Sequence, residues 1–158
     1  MAREAGGESI VLLKNTGRIL PLNLEKLNKI ATIGAFAKTP RYQGSGSSQV
    51  NPTKVSNAYD ELARMADGDG KFAYGADYDS EREVTELLLE EARNVAADAD
   101  VAIVFTGLPD SYESEGFDRS SLEMPTGHNQ LIEAISSVQP EVVVLMNGSA
   151  ITMPWPTA

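Results

Sequence analysis

The sequence predicts an α/β fold: a three-layer sandwich in which helices cover both faces of a mostly parallel sheet. Short apolar segments alternate along the chain with segments of helical periodicity. The apolar segments are nearly continuous, as expected for parallel strands that are buried on both faces. Right-handed crossovers between such strands place helices on both sides of the sheet. A length of 158 residues fits one domain with one sheet.

The first half of the chain predicts two helices and two strands. Residues 2–15 form a candidate helix, with Gly17 as its C-terminal stop. The apolar run 29–36 predicts a buried strand. Apolar residues at helical spacing predict a helix over 55–66, and 71–78 is a weaker strand candidate.

The third helix and third strand are adjacent in the sequence. Apolar residues recur at steps of three and four over 81–98, which predicts a helix. Ser80 and Glu83 fit a capping box at its start. The apolar run 99–107 then predicts a strand that is buried on both faces.

The last pair of elements is a helix over 126–138 and the most apolar strand, at 141–149. Thr126 is the expected N-cap of this helix. His128 lies in its first turn, where a surface or capping position is the expectation rather than catalysis. Trp155 follows the last strand and is interpreted as a buried anchor.

Composition excludes several classes of function. The chain has no cysteine, so a thiolate nucleophile and cysteine-ligated metals are excluded, and its one histidine excludes a multi-histidine metal site. A net charge of −10 argues against binding to nucleic acid or to an anionic membrane surface. No run approaches the roughly 18 apolar residues of a membrane span, and the polar N-terminus is unlike a signal peptide. We therefore expect a cytoplasmic location.

Ligands of open parallel sheets bind beyond the carboxyl ends of the strands, so the segment after the first strand is a candidate site. Residues 38–52 contain glycines and serines, but their spacing matches no phosphate-binding motif. Arg41, Tyr42, Gln43 and Asn51 are side chains of the kind that contact polar ligands. The alternative interpretation is a surface loop without function.

The segment after the third strand is acidic. Within nine residues it carries four carboxylates, at Asp110, Glu113, Glu115 and Asp118. A carboxyl group at this place is suited to general acid catalysis, and neighbouring aromatic side chains can raise its pKa. The spacing matches no EF-hand, so no metal or other cofactor is expected. A solvated acidic loop is the alternative.

These segments together resemble the second domain of family 3 glycoside hydrolases, the β-glucosidases and their relatives. The resemblance covers nearly the whole chain. It rests on ESIVLLKN (8–15), ILPL (19–22), KIATIGAFA (29–37), RYQGSGSSQVNP (41–52), ADVAIVFTGLPDSYESEGFDR (99–119) and VVVLMNGSAITMPW (142–155).

The resemblance implies a retaining β-glucosidase-like hydrolase whose first domain, a TIM-like barrel, carries an aspartate nucleophile. The second domain then supplies the general acid/base, and Glu115 is the matching glutamate. Glu113, two residues away, leaves a second assignment open. The residues expected to line the sugar pocket are Ser47, Arg41, Tyr42, Gln43 and Phe117.

We therefore expect residues 1–158 to be one domain of a longer enzyme, without the barrel and without the end of this domain. The isolated chain is expected to be inactive, since it lacks the nucleophile. The expected partners are a β-linked glucoside or short oligosaccharide, the barrel, and further copies of the chain as a homo-oligomer. A non-catalytic sugar-binding or assembly module is the first alternative, and an unrelated nucleotide-binding domain is the second.

Overall fold

In the computed structural model, the part of the chain that is described contains four strands, which form one parallel sheet with helices on both faces. The structure describes residues 1–44, 46–65, 72–75, 84–116 and 118–155. The strands lie in the order β2-β1-β3-β4 and all three pairings are parallel. Their bounds are β1 Ile30–Ile33, β2 Phe72–Gly75, β3 Val101–Gly107 and β4 Glu141–Met146. The predicted three-layer α/β fold is confirmed.

Within the described residues, four α-helices alternate with the strands in the predicted order. Their bounds are α1 Ala2–Glu8, α2 Ala58–Met65, α3 Glu86–Ala97 and α4 Thr126–Ser136. Thr126 is the first residue of α4 and not its cap, since Pro125 holds the cap position. None of the helices in the described part of the chain is long and apolar enough to cross a membrane.

Helix α3 begins later than the sequence predicts. Thr85 is its N-cap, and the Thr85 hydroxyl accepts a hydrogen bond of 3.3 Å from the Leu88 N–H. The predicted capping residues Ser80 and Glu83 lie outside the described residues. A threonine cap satisfies one of the backbone N–H groups that the first helical turn leaves without a partner, which fixes the start of the helix at Glu86.

The predicted helix over 2–15 is wrong in length, because α1 ends at Glu8 with Ser9 as its C-cap. Gly6 and Gly7 weaken the helix from within. The apolar residues that follow, Ile10 to Leu13, are 62–80% exposed, so no core contact extends the helix through them. A short helix without tertiary packing is marginal in water, which accounts for the early end.

The core has one cluster on each face of the sheet. Alternate residues of the two central strands point to opposite sides, so Ala102 and Val104 of β3 face α3 and α4, whereas Ile103 and Phe105 face α2. Every residue of β1 and β3 is buried. This two-sided burial explains why both strands are continuous apolar runs in the sequence.

Parallel register places the carboxyl ends of β1, β3 and β4 at one edge of the sheet. Glycines end two of these strands, Gly34 after β1 and Gly107 in β3, with φ of 100° and 144°. A Cβ on Gly107 would lie 2.1 Å from the Met146 carbonyl oxygen, and one on Gly34 would lie 2.2 Å from that of Phe105. Both positions therefore require glycine for the chain to leave the sheet close to its neighbour.

We expect Gly107→Ala to destabilise the fold by about 3 kcal/mol, because the added Cβ meets backbone atoms and the residue must hold a strained φ. Gly17→Ala is the matched control, since nothing lies within 4 Å of a Cβ there, and its effect should stay within about 0.5 kcal/mol. Urea denaturation of both variants measures the difference. Equal stability of the two variants would contradict the packing described at the end of β3.

Candidate functional site

An open groove of about 710 Å³ lies at the carboxyl edge of the sheet. The loops that follow β1, β3 and β4 form its walls. Its lining includes Arg41, Tyr42 and Gln43 from the first loop, Tyr112 to Glu115 from the second, and Asn147 to Ser149 from the third. The groove therefore lies where ligands of open parallel sheets bind, beyond the carboxyl ends of the strands.

Arg41 joins the first loop to the second. Its side chain is only 11% exposed, and its Nε donates a hydrogen bond of 3.1 Å to the Leu108 carbonyl. The same Nε lies 2.8 Å from the Asp110 carboxylate, and the guanidinium NH2 lies 3.3 Å from the Glu113 carboxylate. With these bonds in place, Arg41 holds the base of the acidic loop against the loop after β1.

Glu113 joins the second loop to the third. The Gly148 N–H lies 3.1 Å from its Oε1 and 2.9 Å from its Oε2, and the Ser149 hydroxyl donates to Oε1. Burial of this side chain opposes ionisation, but the hydrogen bonds from Ser149 and Gly148 and the charge of Arg41 outweigh it, so the pKa of Glu113 is lowered. Glu113 is therefore an ionised, 14% exposed group whose acceptor sites are directed at protein donors.

Arg119, in the same loop as Glu113, extends this network. Its guanidinium donates to the Ser149 hydroxyl at 2.8 Å and to the Ala150 carbonyl at 2.6 Å. The Ser149 hydroxyl thus accepts from Arg119 and donates to Glu113. One network of charged and hydroxyl groups connects Arg41, Glu113, Ser149 and Arg119 across all three loops.

Glu115 has a different environment. Its side chain is exposed at the groove, and its Oε2 accepts a hydrogen bond of 2.7 Å from the Ser47 backbone N–H. The Ser47 backbone and hydroxyl stabilise the charged form and lower the pKa of Glu115. Gly46, with φ of 80°, permits this approach, since a Cβ there would lie 2.5 Å from the Glu115 carboxylate.

Two tyrosines and one glutamine complete the polar and aromatic lining. Tyr42 is 52% exposed and Tyr112 is 37% exposed, so both present ring surface to the groove. Gln43 has a role within its own loop, because its amide oxygen accepts a hydrogen bond of 3.0 Å from the Val50 N–H. Exposed aromatic rings beside carboxylates and an arginine form a surface suited to a neutral polyhydroxylated ligand.

The structure brings most of the predicted site residues together. Arg41, Tyr42, Gln43 and Glu115 line one groove, and Ser47 reaches it through its bond to Glu115. Phe117 lies outside the described residues. Sequence reasoning missed Asn147, Gly148 and Ser149, although the rule about strand ends, applied to β4, points to the Asn-Gly-Ser sequence that follows it.

Two expectations about individual side chains have different outcomes. Trp155 is an anchor as predicted: it packs against the core on the α3 and α4 face, and its Nε1 donates to Asn129 at 3.1 Å. The surface or capping position expected for His128 is wrong, because this side chain is only 2% exposed and, among the described residues, no side-chain hydrogen bond caps the start of α4. Its ring meets Phe36 edge to face, and its Nδ1 accepts a hydrogen bond of 3.4 Å from the Gly107 N–H.

His128 makes stability depend on pH. Burial lowers its pKa to about 4, so the folded state keeps a neutral ring that the unfolded chain protonates near pH 6.5. The contribution of the neutral ring to the free energy of unfolding is therefore complete above about pH 6.5. It is lost as the pH falls toward 4, by about 3 kcal/mol in all. Glu141 acts in the opposite direction, because burial raises its pKa to about 7. Its protonation stabilises the folded chain as the pH falls from about 7, over part of the same range.

The difference between the chain and its His128→Gln variant isolates the histidine, since Glu141 is common to both. Relative to the unsubstituted chain, the stability of the variant should rise by about 3 kcal/mol as the pH falls from 6.5 to 4. Urea denaturation at several pH values measures this. A difference that does not change with pH would contradict a neutral buried His128.

Residues 10–158 match the family model described as the glycosyl hydrolase family 3 C-terminal domain. The chain is 49% identical over 157 residues to the thermostable β-glucosidase B of Acetivibrio thermocellus, covering 98% of this chain and 20% of that protein. It is 46% identical over 164 residues to an exo-α-(1→6)-L-arabinopyranosidase of Bifidobacterium longum, covering 98% of this chain and 21% of that protein.

Solved structures give the same result. A GH3 β-glucosidase of Bifidobacterium adolescentis superposes with a TM-score of 0.84 at 43% identity, over 96% of this chain and 22% of that one. A β-glucosidase of Kluyveromyces marxianus, at 18% identity, shares the fold with a TM-score of 0.82 over 97% of this chain and 35% of that one. The chain therefore spans about a fifth of the length of the curated relatives it matches.

Proposed function

Because the chain belongs to glycosyl hydrolase family 3, whose C-terminal domain it matches, we propose that it supplies the general acid/base and part of the sugar pocket of a retaining glycosidase. The proposed substrate is a β-linked glucoside or short oligosaccharide. Relatives named β-glucosidase and arabinopyranosidase support the reaction class, and the β-glucosidase at 49% identity supports the choice of glucoside. The proposed acid/base is Glu115.

The observation that carries this assignment is the contrast between the two neighbouring glutamates. The Glu113 carboxylate is held by Gly148, Ser149 and Arg41. The Glu115 carboxylate is exposed at the groove, where it accepts hydrogen bonds from Ser47. A general acid must reach a bound substrate through its own oxygen atoms. Glu115 satisfies this requirement, whereas a substrate could reach Glu113 only by displacing its partners.

The proposed reaction has two steps, and Glu115 acts in both. In the first, the Glu115 carboxyl donates its proton to the glycosidic oxygen as a carboxylate nucleophile attacks the anomeric carbon and the C–O bond breaks. In the second, the Glu115 carboxylate takes a proton from water as that water attacks the anomeric carbon and releases the nucleophile. By resemblance to the family, the nucleophile is an aspartate of a barrel domain, outside this chain.

A general acid must be protonated before it acts, whereas the Ser47 bond keeps Glu115 ionised in this chain. Two changes in the complete enzyme would reverse this. A barrel placed over the groove desolvates Glu115, and its nucleophile adds a second negative carboxylate about 5 Å away. Both effects raise a carboxyl pKa. We propose that assembly of the two domains raises the pKa of Glu115 into the range in which a carboxyl group can act as an acid, as in other retaining glycosidases.

The groove residues have supporting roles in this proposal. The exposed faces of Tyr42 and Tyr112 are suited to packing against a sugar ring, which presents apolar C–H groups to aromatic side chains. Arg41 bonds to the acidic loop, so its role in the pocket is to hold that loop in position. Ser47 orients Glu115.

Glu115→Gln in the complete enzyme tests the assignment. The amide keeps the size of the side chain and an oxygen that accepts the Ser47 bond, but it neither donates an acidic proton nor accepts one as a base. Hydrolysis of cellobiose should therefore fall sharply, with the melting temperature of the enzyme nearly unchanged. Cellobiose hydrolysis at the original rate would show that Glu115 is not the acid/base.

A further inference from the structure

We infer that Glu113 is a positioning residue: by bonding the loops after β1 and β4, it holds the neighbouring Glu115 at the groove. This inference rests on the proposed role of Glu115. It gives a function to a partly buried carboxylate whose acceptor sites are taken by protein donors, and to Ser149, which follows β4.

The first argument is the position of Glu113 within its loop. Backbone bonds of 2.9 Å from Tyr112 N–H to the Pro109 carbonyl, and of 3.3 Å from Glu113 N–H to the Asp110 carbonyl, form a turn up to Glu113. Among the described residues, this end of the loop is tied to other segments by the Glu113 carboxylate, by the Glu113 carbonyl, which accepts a hydrogen bond of 3.3 Å from the Arg41 guanidinium, and by the Ser47 contact. The Ser47 contact acts on Glu115 itself, so Glu113 fixes the backbone from which Glu115 projects.

The second argument is the kind of group required. Gly148 N–H, the Ser149 hydroxyl and the Arg41 guanidinium all donate to the Glu113 carboxylate. A carboxylate offers two acceptor oxygens with about four acceptor sites and no donor, so it can satisfy all of them. An amide of the same shape replaces one oxygen by an NH2 group, which cannot accept from any of the three. A negative charge also matches Arg41, which is as buried as Glu113.

The third argument is the size of the expected effect on catalysis. A catalytic group displaced by about 1 Å can cost up to about 10²-fold in rate. If Glu113→Gln loosens the loop, proton donation by Glu115 weakens, and kcat/KM for a poor leaving group should fall by about 10- to 100-fold. An activated aryl glucoside, whose leaving group needs no proton, should lose less than about threefold.

The experiment compares four variants of the complete enzyme: Glu113→Gln, Ser149→Ala, Ser149→Thr and Glu115→Ala. Each is assayed with cellobiose and with an activated aryl β-glucoside, with and without azide, and its thermal unfolding is recorded. The ratio of the two kcat/KM values is the readout, because a loss of folded enzyme lowers both values equally and leaves their ratio unchanged.

For Glu113→Gln we expect the ratio of kcat/KM for cellobiose to kcat/KM for the aryl glucoside to fall by about tenfold or more. Azide should yield no glycosyl azide, since the Glu115 carboxylate is still in place. Ser149→Ala should shift the ratio in the same direction by less, and Ser149→Thr, which keeps the hydroxyl, should restore it. Ser149→Ala keeps the test decisive if Glu113→Gln fails to fold.

Three results would overturn the inference. An unchanged ratio for Glu113→Gln or, where that variant does not fold, for Ser149→Ala would make the network structural only. A glycosyl azide from Glu113→Gln would make Glu113 the acid/base itself. A Glu115→Ala variant with no preference between substrates and no azide product would overturn the proposed function and the inference together. Where Glu115→Ala does show azide rescue, the first of these results overturns the inference alone.

Discussion

Replacing Glu115 by alanine in the complete enzyme is expected to lower kcat/KM for cellobiose by about 10²–10⁴-fold, the usual contribution of general acid catalysis. The glucose unit that leaves from cellobiose departs as a sugar alkoxide unless the glycosidic oxygen receives a proton. An activated aryl leaving group departs as a stable phenolate without one. The loss in kcat/KM should therefore be small for activated aryl β-glucosides and should increase steadily as the leaving group becomes more basic.

The second step of the reaction gives an independent signature of the same variant. Without the Glu115 carboxylate as base, water attacks the glycosyl-enzyme slowly, so deglycosylation should limit kcat for activated substrates. A burst of aryl alcohol in the first turnover would report the accumulated intermediate. Equal losses for all leaving groups, with no burst, would contradict a role for Glu115 as acid and base.

The isolated 158-residue chain is expected to show no turnover of an aryl β-glucoside above the uncatalysed rate. A retaining glycosidase needs two carboxylates about 5 Å apart, one on each side of the anomeric carbon. In the proposed enzyme the nucleophile comes from another domain. Glu115 alone can donate a proton, but without a carboxylate nucleophile no glycosyl-enzyme forms. The two-step reaction therefore cannot take place.

The control for this prediction is the Glu115→Ala variant of the isolated chain. Activity from a contaminating glycosidase would be the same in both preparations, whereas activity of the chain itself would be lost in the variant. Turnover that disappears with Glu115→Ala would contradict the division of the site between two domains. Titration calorimetry of the inactive chain with glucose and cellobiose separates a further possibility, since tight binding would favour a non-catalytic sugar-binding module.

The sheet was predictable because its central strands have one physical requirement. Strands β1 and β3 are buried on both faces, which demands continuous apolar runs, and such runs are visible in the sequence. Strand β4 shows the limit of this signal. It is the most apolar run, yet it lies at the edge of the sheet and each of its residues is only partly buried. An apolar run therefore identifies a strand without giving its place in the sheet.

The helix over 2–15 and the place of His128 were not predictable for a related reason. Helical periodicity shows that a helix can form, but the end of α1 at Glu8 depends on whether a core exists for Ile10 to Leu13. His128, in the first turn of α4, was expected at a surface or capping position. It is buried because Phe36 and Gly107, both distant in sequence, pack against it.

The candidate site was predictable in place but not in the roles of its members. The acidic loop and the loop with Arg41 follow strands, so the geometry of parallel sheets brings them together. Glu113 and Glu115 are two residues apart and chemically identical, so sequence alone leaves both as candidates. What distinguishes them is tertiary contact: Gly148 and Ser149, from the loop after β4, bond to Glu113 and not to Glu115.

The central claim is that Glu115, and not Glu113, is the acid/base of the complete enzyme. Identification of the product formed by each alanine variant from an activated aryl β-glucoside in the presence of azide tests it most directly. Azide needs no general base, so removal of the acid/base lets it attack the glycosyl-enzyme. We predict a β-glycosyl azide, identified by its anomeric proton coupling, with Glu115→Ala and none with Glu113→Ala. The azide product from Glu113→Ala alone would contradict the claim.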